Sequence, residues 1–561
     1  MSASGWLCID RVMFRRIQTI AYWPALFASL LLCLVTLQAV AWSVKLNDGH
    51  LIYGLDDAYI HMSIAKNFAQ HGVWGVTQYG YTSASSSPLW TGILALLYFL
   101  LGDHAIMPLV LNLIFALGLM FAINRLLRKC DVPALYRLII LAAVVILLPL
   151  DSLILSGMEH VLQILVCILF LDAATDLLTR DHMPKLTARD SILVCILGAL
   201  TATARYEGLF LVAIFCLMFA LRRRLIYGVL LGIISIAPIM IYGLIAIANG
   251  WTFLPPSLLL KSSAIQNLSG ASFDQLKFYL IDEPLGIFAN HTLTLPLVAA
   301  LFIFLFRYEK RRTLWDSGLV MLIAFIGVTY LNIRLVSWPF PGPLLRYEAY
   351  LIPLALIVIP AALGEYLPRR IMLHAFPAYV VSAILLLFVL RGIYTRYLYL
   401  TFNTPIVTAT QNIYWQQIQM ADFLKTYYEG ATVAANDIGA INYFADLHNV
   451  DLYGLANIDV VHLKRENHYD TDAIRGIASE EGAQIAVIYS IWFDAYGGLP
   501  PEWTLVGEWS IQSEKNVVLG FHVVSFYAIN PDLADSLSAN LTTFAPRLPS
   551  EVNWWSEVPL R

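Results

Sequence analysis

Long apolar runs separated by short basic clusters dominate roughly the first 390 positions of the chain. Runs at 23–43, 105–124, 136–156, 160–178 and 225–248 are long enough, or nearly so, to cross a hydrocarbon layer of about 30 Å. Shorter apolar runs lie at 191–204, 209–221, 292–306, 316–333, 348–363 and 374–391. Between them come Arg11, Arg15 and Arg16, then Arg125, Arg128 and Lys129, then Arg180, Lys185 and Arg189. Arg222 to Arg224, Arg307 to Arg312, and Arg369 with Arg370 continue the series, whereas 44–88, 249–290 and 332–347 are poor in basic residues. Basic loops stay cytoplasmic, so this alternation predicts about eleven spans with the N-terminus inside and the C-terminus outside.

Residues 88–101 (PLWTGILALLYFLL) are apolar but short, and counting them as a span would turn the Arg125–Lys129 cluster outward. A run of this length suits an interfacial helix. The stretches 58–71 and 88–101 are therefore expected along the outer membrane surface, joined by a Ser-rich loop at Thr82 to Ser87. The first span is long and lacks a small-residue cleavage site, so it is expected to stay as an anchor.

From about residue 395 the pattern changes. ATVAA (431–435), VDLYGL (450–455), QIAVIY (484–489), WTLVGEWSI (503–511) and VVLGFHVVSFYAI (517–529) read as strands, while 411–428 and 470–481 read as helices. The predicted architecture is mainly α: a polytopic transmembrane helical bundle over 1–393, with the first outer loop and its surface helices at 44–104. A soluble α/β domain follows outside the membrane at 394–561.

Composition sharpens this picture. The chain has 561 residues, 59% hydrophobic and only 13% charged, so it carries about half the charge of an average soluble domain. From Tyr394 onward there are 8 Lys and Arg against 19 Asp and Glu, so the acidic charge is concentrated in the predicted outer domain. The overall net charge of −4 gives no reason to expect nucleic acid as a partner. Six cysteines (Cys8, Cys33, Cys130, Cys167, Cys195 and Cys216) show no metal-ligand spacing and read as core residues.

Polar residues at predicted membrane boundaries carry the candidate chemistry. YGLDDAYIHMSIAKN places Asp56 and Asp57 just after the first span. Such a pair could simply cap the helix at 58–71. In a partly dry cleft, one carboxylate can instead deprotonate a hydroxyl while its neighbour orients the acceptor. SGMEH puts Glu159 at an outer turn, and ATARYEG places Arg205 and Glu207 between two short spans. LPPSLLLKSS offers Lys261, and LNIRLVSWPFPGPLLRYEAY offers Arg334, Arg346, Tyr347 and Glu348. Each basic residue alone could snorkel to an interface. Together, three arginines and a lysine on the face of the carboxylates suit the gripping of a phosphate. In the outer domain, Asp437 and Asp451 follow predicted strands, where turn chemistry is the plainer reading. Trp492, Phe493, Tyr496 and Trp503 could stack on a ligand ring or fill a core.

These residues resemble the GT-C superfamily of polytopic glycosyltransferases. The matching pieces are Asp56-Asp57, the surface helix opening SPLW, the paired short spans around RYEG, and RYEAYLIP. GME (157–159) and NDIGAINYFADLHNVDLYGLAN (436–457) are similar to a bacterial subgroup that includes arabinofuranosyltransferases. Tyr206 stands where related proteins often carry Pro. The resemblance implies an inverting transfer at the outer face, from a polyprenyl-phosphate sugar to a glycan, lipid or protein acceptor. It places the base at Asp56 or Asp57 and the donor phosphate on Arg334 and Arg346, with Lys261 and Arg205 behind them. Glu159, Glu207, Tyr347 and Glu348 would support the site. No cofactor is expected, although the Asp pair leaves room for a divalent metal.

A polytopic transporter or flippase of a lipid-linked or anionic substrate is the main rival, because RYEG between short spans also fits a broken transport helix. Its site would lie near the bilayer midplane, whereas these polar clusters sit at one face. A non-catalytic receptor or assembly scaffold is a third reading. The subgroup resemblance points to a bacterial inner membrane with the C-terminal domain periplasmic.

Overall fold

The computed structural model describes residues 22–180, 188–261, 293–336, 346, 348–366, 390 and 405–557. Among these, five helices are long and apolar enough to cross a membrane: Trp23–Leu46, Met107–Lys129, His160–Thr179, Leu225–Ala248 and Ser317–Leu335. Shorter helices Ala188–Ala204, Gly208–Leu221, Thr294–Arg311 and Leu351–Leu363 coincide with the shorter apolar runs. The expected span at 374–391 lies outside the described residues, apart from Leu390. One expected span is broken: 136–156 forms Ala134–Leu147 and Leu150–Leu155 with Pro149 between them. Proline has no N–H to continue an α-helical ladder, which accounts for the break.

Among the described residues, intramolecular packing gathers the clusters at Arg125–Lys129, Arg222–Arg224 and Arg307–Arg312 at one end of the bundle. Lys129 pairs with Asp172 at 2.7 Å and also with Asp176. Arg224 donates to the Leu177 carbonyl at 2.6 Å, and the Arg222 guanidinium lies 5.3 Å from the Trp315 ring centre. Arg307 bonds both Asp316 and Glu365. The apolar bundle core runs from Leu119 and Leu153 through Phe170 and Phe215 to Phe325.

The opposite end carries the two short helices of the first outer loop, Asp56–His71 and Pro88–Leu101, packed against each other. Pro88–Leu101 is 14 residues long, about 21 Å at 1.5 Å per residue, and so shorter than the hydrocarbon layer. It buries Trp90, Leu94 and Tyr98 while exposing Leu96, Phe99 and Leu100.

The C-terminal domain is a six-stranded mixed sheet in the order β2-β1-β3-β5-β4-β6. Its strands are β1 Thr432–Ala435, β2 His448–Asp451, β3 Ile485–Ile488, β4 Thr504–Ser510, β5 Val523–Ala528 and β6 Asn553–Ser556. Strands β2, β1 and β3 are parallel, and the remaining pairings are antiparallel. β3 is buried throughout, as its continuous IAVI run requires at the sheet centre. Phe423 packs edge to face against Trp509 of β4, Phe526 of β5 and Phe544 on one face of the sheet. The runs at 431–435, 484–489 and 503–511 form strands as expected, 517–529 does so only over Val523–Ala528, and 450–455 contributes only Val450 and Asp451 to β2, the rest being turn; β6 is an additional short edge.

One continuous apolar cluster joins the first outer loop (Tyr53, Leu55, Tyr59, Trp90) to the C-terminal domain (Ile413, Phe423, Ile441, Val487). Polar contacts fix the same junction: Lys66 donates to the Tyr443 carbonyl at 2.9 Å, Gln78 to Asp446 at 2.7 Å, and Tyr414 to Asp48 at 2.9 Å.

Candidate functional site

The first outer loop leaves its span through an extended segment ending at Leu55, and Asp56 and Asp57 then open the next helix. Gly54 N–H bonds the Leu155 carbonyl, and the Tyr53 hydroxyl bonds the Ala105 carbonyl at 2.6 Å, so the approach to the carboxylates is tied down. Gly157 reinforces it. Its φ is +73°, and a Cβ there would lie 2.8 Å from the Tyr53 ring. Only glycine tolerates both the left-handed backbone and that approach.

Asp56 and Asp57 point to different partners. The Asp56 carboxylate accepts from Gly439 N–H at 2.9 Å and Ala440 N–H at 2.8 Å, so it caps a helix of the C-terminal domain. Burial raises its proton affinity well above the usual carboxylate range, and the nearby Asp437 carboxylate adds to the rise while the two N–H bonds oppose it. Asp57 Oδ2 accepts from Arg346 Nη1 at 2.9 Å. The expected cap on the helix at 58–71 is not made: both residues lie inside that helix's first turn, and Asp56 instead caps a helix more than 380 positions away.

A Cβ on Gly439 would collide with both the backbone oxygen and the carboxylate of Asp56. Gly439→Ala is therefore expected to displace Asp56 and to lower any activity that depends on it by at least tenfold. Loss of Asp56-dependent activity with only a small shift in unfolding midpoint would bear this out, and unchanged turnover would refute it.

Behind the pair lies a buried charged cluster. Glu159, fully buried, accepts from Arg205 Nη1 at 2.6 Å. Arg205 also grips Glu207 with Nε at 3.2 Å and Nη2 at 2.9 Å. His61 Nε2 stands 3.6 Å from Glu159 Oε2, and its Nδ1 is 2.7 Å from the Thr91 hydroxyl, with Ser85 and Ser86 of the Ser-rich loop alongside. His160 is buried within electrostatic reach of Arg205, Arg346, Asp57 and His61, and neither ring nitrogen has a hydrogen-bond partner.

The remaining expected residues are placed as follows. Glu348 is buried in the turn before Leu351–Leu363. The neighbouring Tyr350 lies within electrostatic reach of Glu207 and Arg205, which brings that turn onto the cluster. Arg334 is half-buried in the last turn of Ser317–Leu335. Lys261 ends the helix Pro256–Lys261, its side chain lying outside the description, as does Tyr347.

Asp56, Asp57 and Arg346 line a cavity of about 200 Å³ whose opposite wall belongs to the C-terminal domain. Asn436 and Asp437 follow β1, while Tyr489 and Trp492 follow β3. Chain order β1, β2, β3 becomes spatial order β2-β1-β3, so the strand order reverses between β1 and β3. The carboxyl ends of parallel strands at such a reversal are where open α/β sheets bind ligands. Asp437 Oδ2 accepts from Gln417 at 2.9 Å and from the Tyr489 hydroxyl at 2.7 Å. Burial, then Asp437, raises the proton affinity of Tyr489 and keeps that phenol a donor. Gln416 and Gln417 sit in a π-helical turn, Tyr414–Ile418, that interrupts the helical stretch from Pro405 to Tyr427. Such turns recur at functional sites.

Asp451 has the turn role expected of it, accepting from Tyr453, Gly454 and Ala456 N–H. Of the four aromatics singled out in the sequence, Trp492 lines the cavity, Phe493 and Trp503 are buried, and Tyr496 packs on Lys464. His61, His160, Gln417 and Asn436 were not anticipated. Two adjacent glutamines inside a buried helix were the available signal.

A domain of unknown function (DUF8728) matches residues 411–527, the stretch that carries the C-terminal wall of the cavity. Among proteins with curated functions, none matches the sequence. ArnT from Cupriavidus metallidurans, solved bound to undecaprenyl phosphate, superposes with a TM-score of 0.51 at 14% identity, over 94% of this chain and 98% of that one. The oligosaccharyltransferase AglB from Archaeoglobus fulgidus, solved with an inhibitory peptide and a dolichol-phosphate, gives 0.44 at 14% identity, over 89% and 74%. The likeness runs along nearly the whole length of ArnT, and the chain shares its fold.

Proposed function

We propose that the protein is a membrane glycosyltransferase that moves a sugar from a polyprenyl-phosphate donor to an acceptor hydroxyl. The observation that carries this reading is the cavity in which Asp56 and Asp57 meet Arg346 at the outer-loop end of an apolar bundle. The full-length likeness to ArnT, whose structure holds undecaprenyl phosphate, supports a lipid-phosphate donor. The basic clusters at the opposite end support an outer-face site, with the C-terminal domain on the periplasmic side of a bacterial inner membrane.

In this reading Asp56 is the general base. Burial and Asp437 raise its proton affinity above the usual carboxylate range, which makes it a stronger base toward a hydroxyl. The two backbone N–H groups hold its oxygens in place and leave each a further lone pair for the acceptor hydroxyl. As the acceptor oxygen attacks the anomeric carbon, its proton passes to Asp56 and the bond to the lipid phosphate breaks with the electron pair on phosphate. One direct displacement inverts the anomeric centre. Arg346 stabilises the departing phosphate, and Asp57 orients Arg346 through their ion pair. Arg334 and Lys261 are assigned further phosphate contacts on the sequence resemblance, whereas Arg205 is a positioning residue committed to Glu159 and Glu207. Arg346 thus supplies the charge that a divalent metal would otherwise bring, and no cofactor is required. The sugar is a pentose or hexose, arabinofuranose being the member suggested by the sequence, and the acceptor is a glycan, lipid or protein of the cell envelope.

The test is turnover in detergent of a panel of polyprenyl-phosphate sugars, read as release of free polyprenyl phosphate. Release by the wild type establishes the class and identifies the donor sugar. No release from any donor by folded protein refutes the reading.

A pH profile separates Asp56 from an ordinary carboxylate. The ionised form is the active one, so kcat/KM falls as acidification protonates it. Because burial and Asp437 raise its proton affinity, that fall is expected well above the ordinary aspartate value of about 3.9. A profile flat down to pH 5 would rule Asp56 out as the base.

A further inference from the structure

Two polar groups in the C-terminal wall of the cavity have hydrogen-bonding capacity that the protein does not use. Asn436 is 4% exposed and lines the cavity. Its Oδ1 accepts the Tyr489 backbone N–H at 2.9 Å, which fixes the amide orientation because an N–H can only donate. Its Nδ2 is therefore the other atom, and it is buried without a partner. Gln417, 1% exposed, also lines the cavity. Its Nε2 donates to both Asp437 and the Tyr489 hydroxyl, leaving Oε1 buried and without a partner. Folded proteins rarely leave such groups idle, and unspent ones belong where a ligand completes them.

The unspent atoms are one donor and one acceptor. Hydroxyl groups, which donate and accept alike, satisfy both from a single small cavity. Trp492 adds an indole to the same wall, its Nε1 tied to the Gly520 carbonyl at 3.3 Å and its ring 5.0 Å from that of Tyr453. An apolar ring face beside paired polar groups matches the two sides of a sugar. Asp437, held by Gln417 and Tyr489, supplies a further acceptor on this wall.

We propose that Asn436, Gln417 and Trp492 form a sugar-recognition subsite that the C-terminal domain contributes to the reaction cavity. It takes one sugar ring, with hydroxyls on Asn436 Nδ2 and Gln417 Oε1 and a ring face against Trp492. This rests on the glycosyltransfer reading for its role but not for its detection. The transferred sugar and the acceptor sugar share the required chemistry, and kinetics distinguish them.

Binding is tested on the full-length protein in detergent by saturation-transfer NMR with methyl arabinofuranoside, mannopyranoside, glucopyranoside and galactopyranoside. At least one is expected to show saturated ring protons with wild type and to lose them with Trp492→Ala. Asn436→Asp keeps the Oδ1 contact to Tyr489 while replacing the donor by an acceptor, and it is expected to weaken the same signal by about 2- to 12-fold, the range for one neutral hydrogen bond. No saturation of any glycoside by wild type, or equal saturation by wild type and both variants, overturns the proposal. With an identified donor, a KM raised for the donor assigns the subsite to the transferred sugar, and one raised only for the acceptor assigns it to the acceptor. Unchanged KM values for both overturn it while leaving Asp56-dependent transfer standing. Failure of the wild type to cleave any donor would instead remove the enzymatic reading and leave glycoside binding to be judged on its own.

Discussion

Asp56→Asn is expected to reduce sugar transfer by about 10²- to 10⁴-fold, the range for loss of a general base. The amide cannot take the acceptor proton, and its NH₂ group must also face one of the two N–H donors at Gly439 and Ala440. Losing one such contact costs about 1–3 kcal/mol, so some fall in unfolding midpoint accompanies the loss of rate. Gly439→Ala separates these effects, because it disturbs the contact while keeping the carboxylate. Asp57→Asn makes a second comparison. It removes the partner of Arg346 and is expected to act mainly through the donor KM, by roughly tenfold, equivalent to about 1.4 kcal/mol. Polyprenyl phosphate release by all variants, measured beside their thermal unfolding, decides the matter. An Asp56→Asn enzyme with a tenth or more of wild-type turnover would take the base away from Asp56. Loss confined to Asp57→Asn would move it one residue along.

How far this site was legible in the sequence depended on the range of each interaction. Leu225–Ala248 coincides with its apolar run because a uniformly apolar stretch of that length has one way to satisfy its backbone in a membrane. The strands at 432–435 and 485–488 were visible as short apolar runs bounded by turn residues. β6 was not, since NWWS is an exposed edge without alternation. Asp56, Asp57 and Arg346 were visible as charges out of place in an apolar chain. Their division of labour was not, because Asp56 meets Gly439 and Ala440 more than 380 positions away. Asp437 read as turn chemistry from its Asn-Asp-Ile-Gly setting. Only the sheet order shows that the same turn stands at the strand reversal and faces Asp56. Gln417 was hidden by the π turn, which alters the helical periodicity on which a sequence reading depends.

The division between the halves of the molecule has a physical consequence. In the proposed reaction the bundle keeps a lipid phosphate and Arg346 at the membrane edge, but its apolar helices have few groups with which to recognise hydroxyls. Those groups come from the sheet domain. The apolar cluster between the halves and the Asp56 contact to Gly439 hold the two walls of the cavity in register. On the proposed reading, catalysis and sugar recognition are thereby linked through one carboxylate.

Arg205→Ala is expected to be the most destabilising single change near the site. Glu159 is fully buried and Glu207 nearly so, and the arginine between them compensates both. Removing one partner of a buried ion pair costs about 3–5 kcal/mol, because the remaining charge is stranded in a low dielectric. With two carboxylates stranded, the variant is expected to unfold at a markedly lower temperature in detergent or to yield little folded protein. The triple variant Arg205→Met, Glu159→Gln, Glu207→Gln removes the charges together and is expected to recover most of that loss, since an uncharged cluster of similar volume carries no such penalty. An unfolding midpoint of Arg205→Ala equal to wild type would show that the cluster is not holding the fold. If that variant instead raised the donor KM, Arg205 would return to the phosphate-binding role that its position in ATARYEG first suggested, and Glu159 and Glu207 would be its orienting partners.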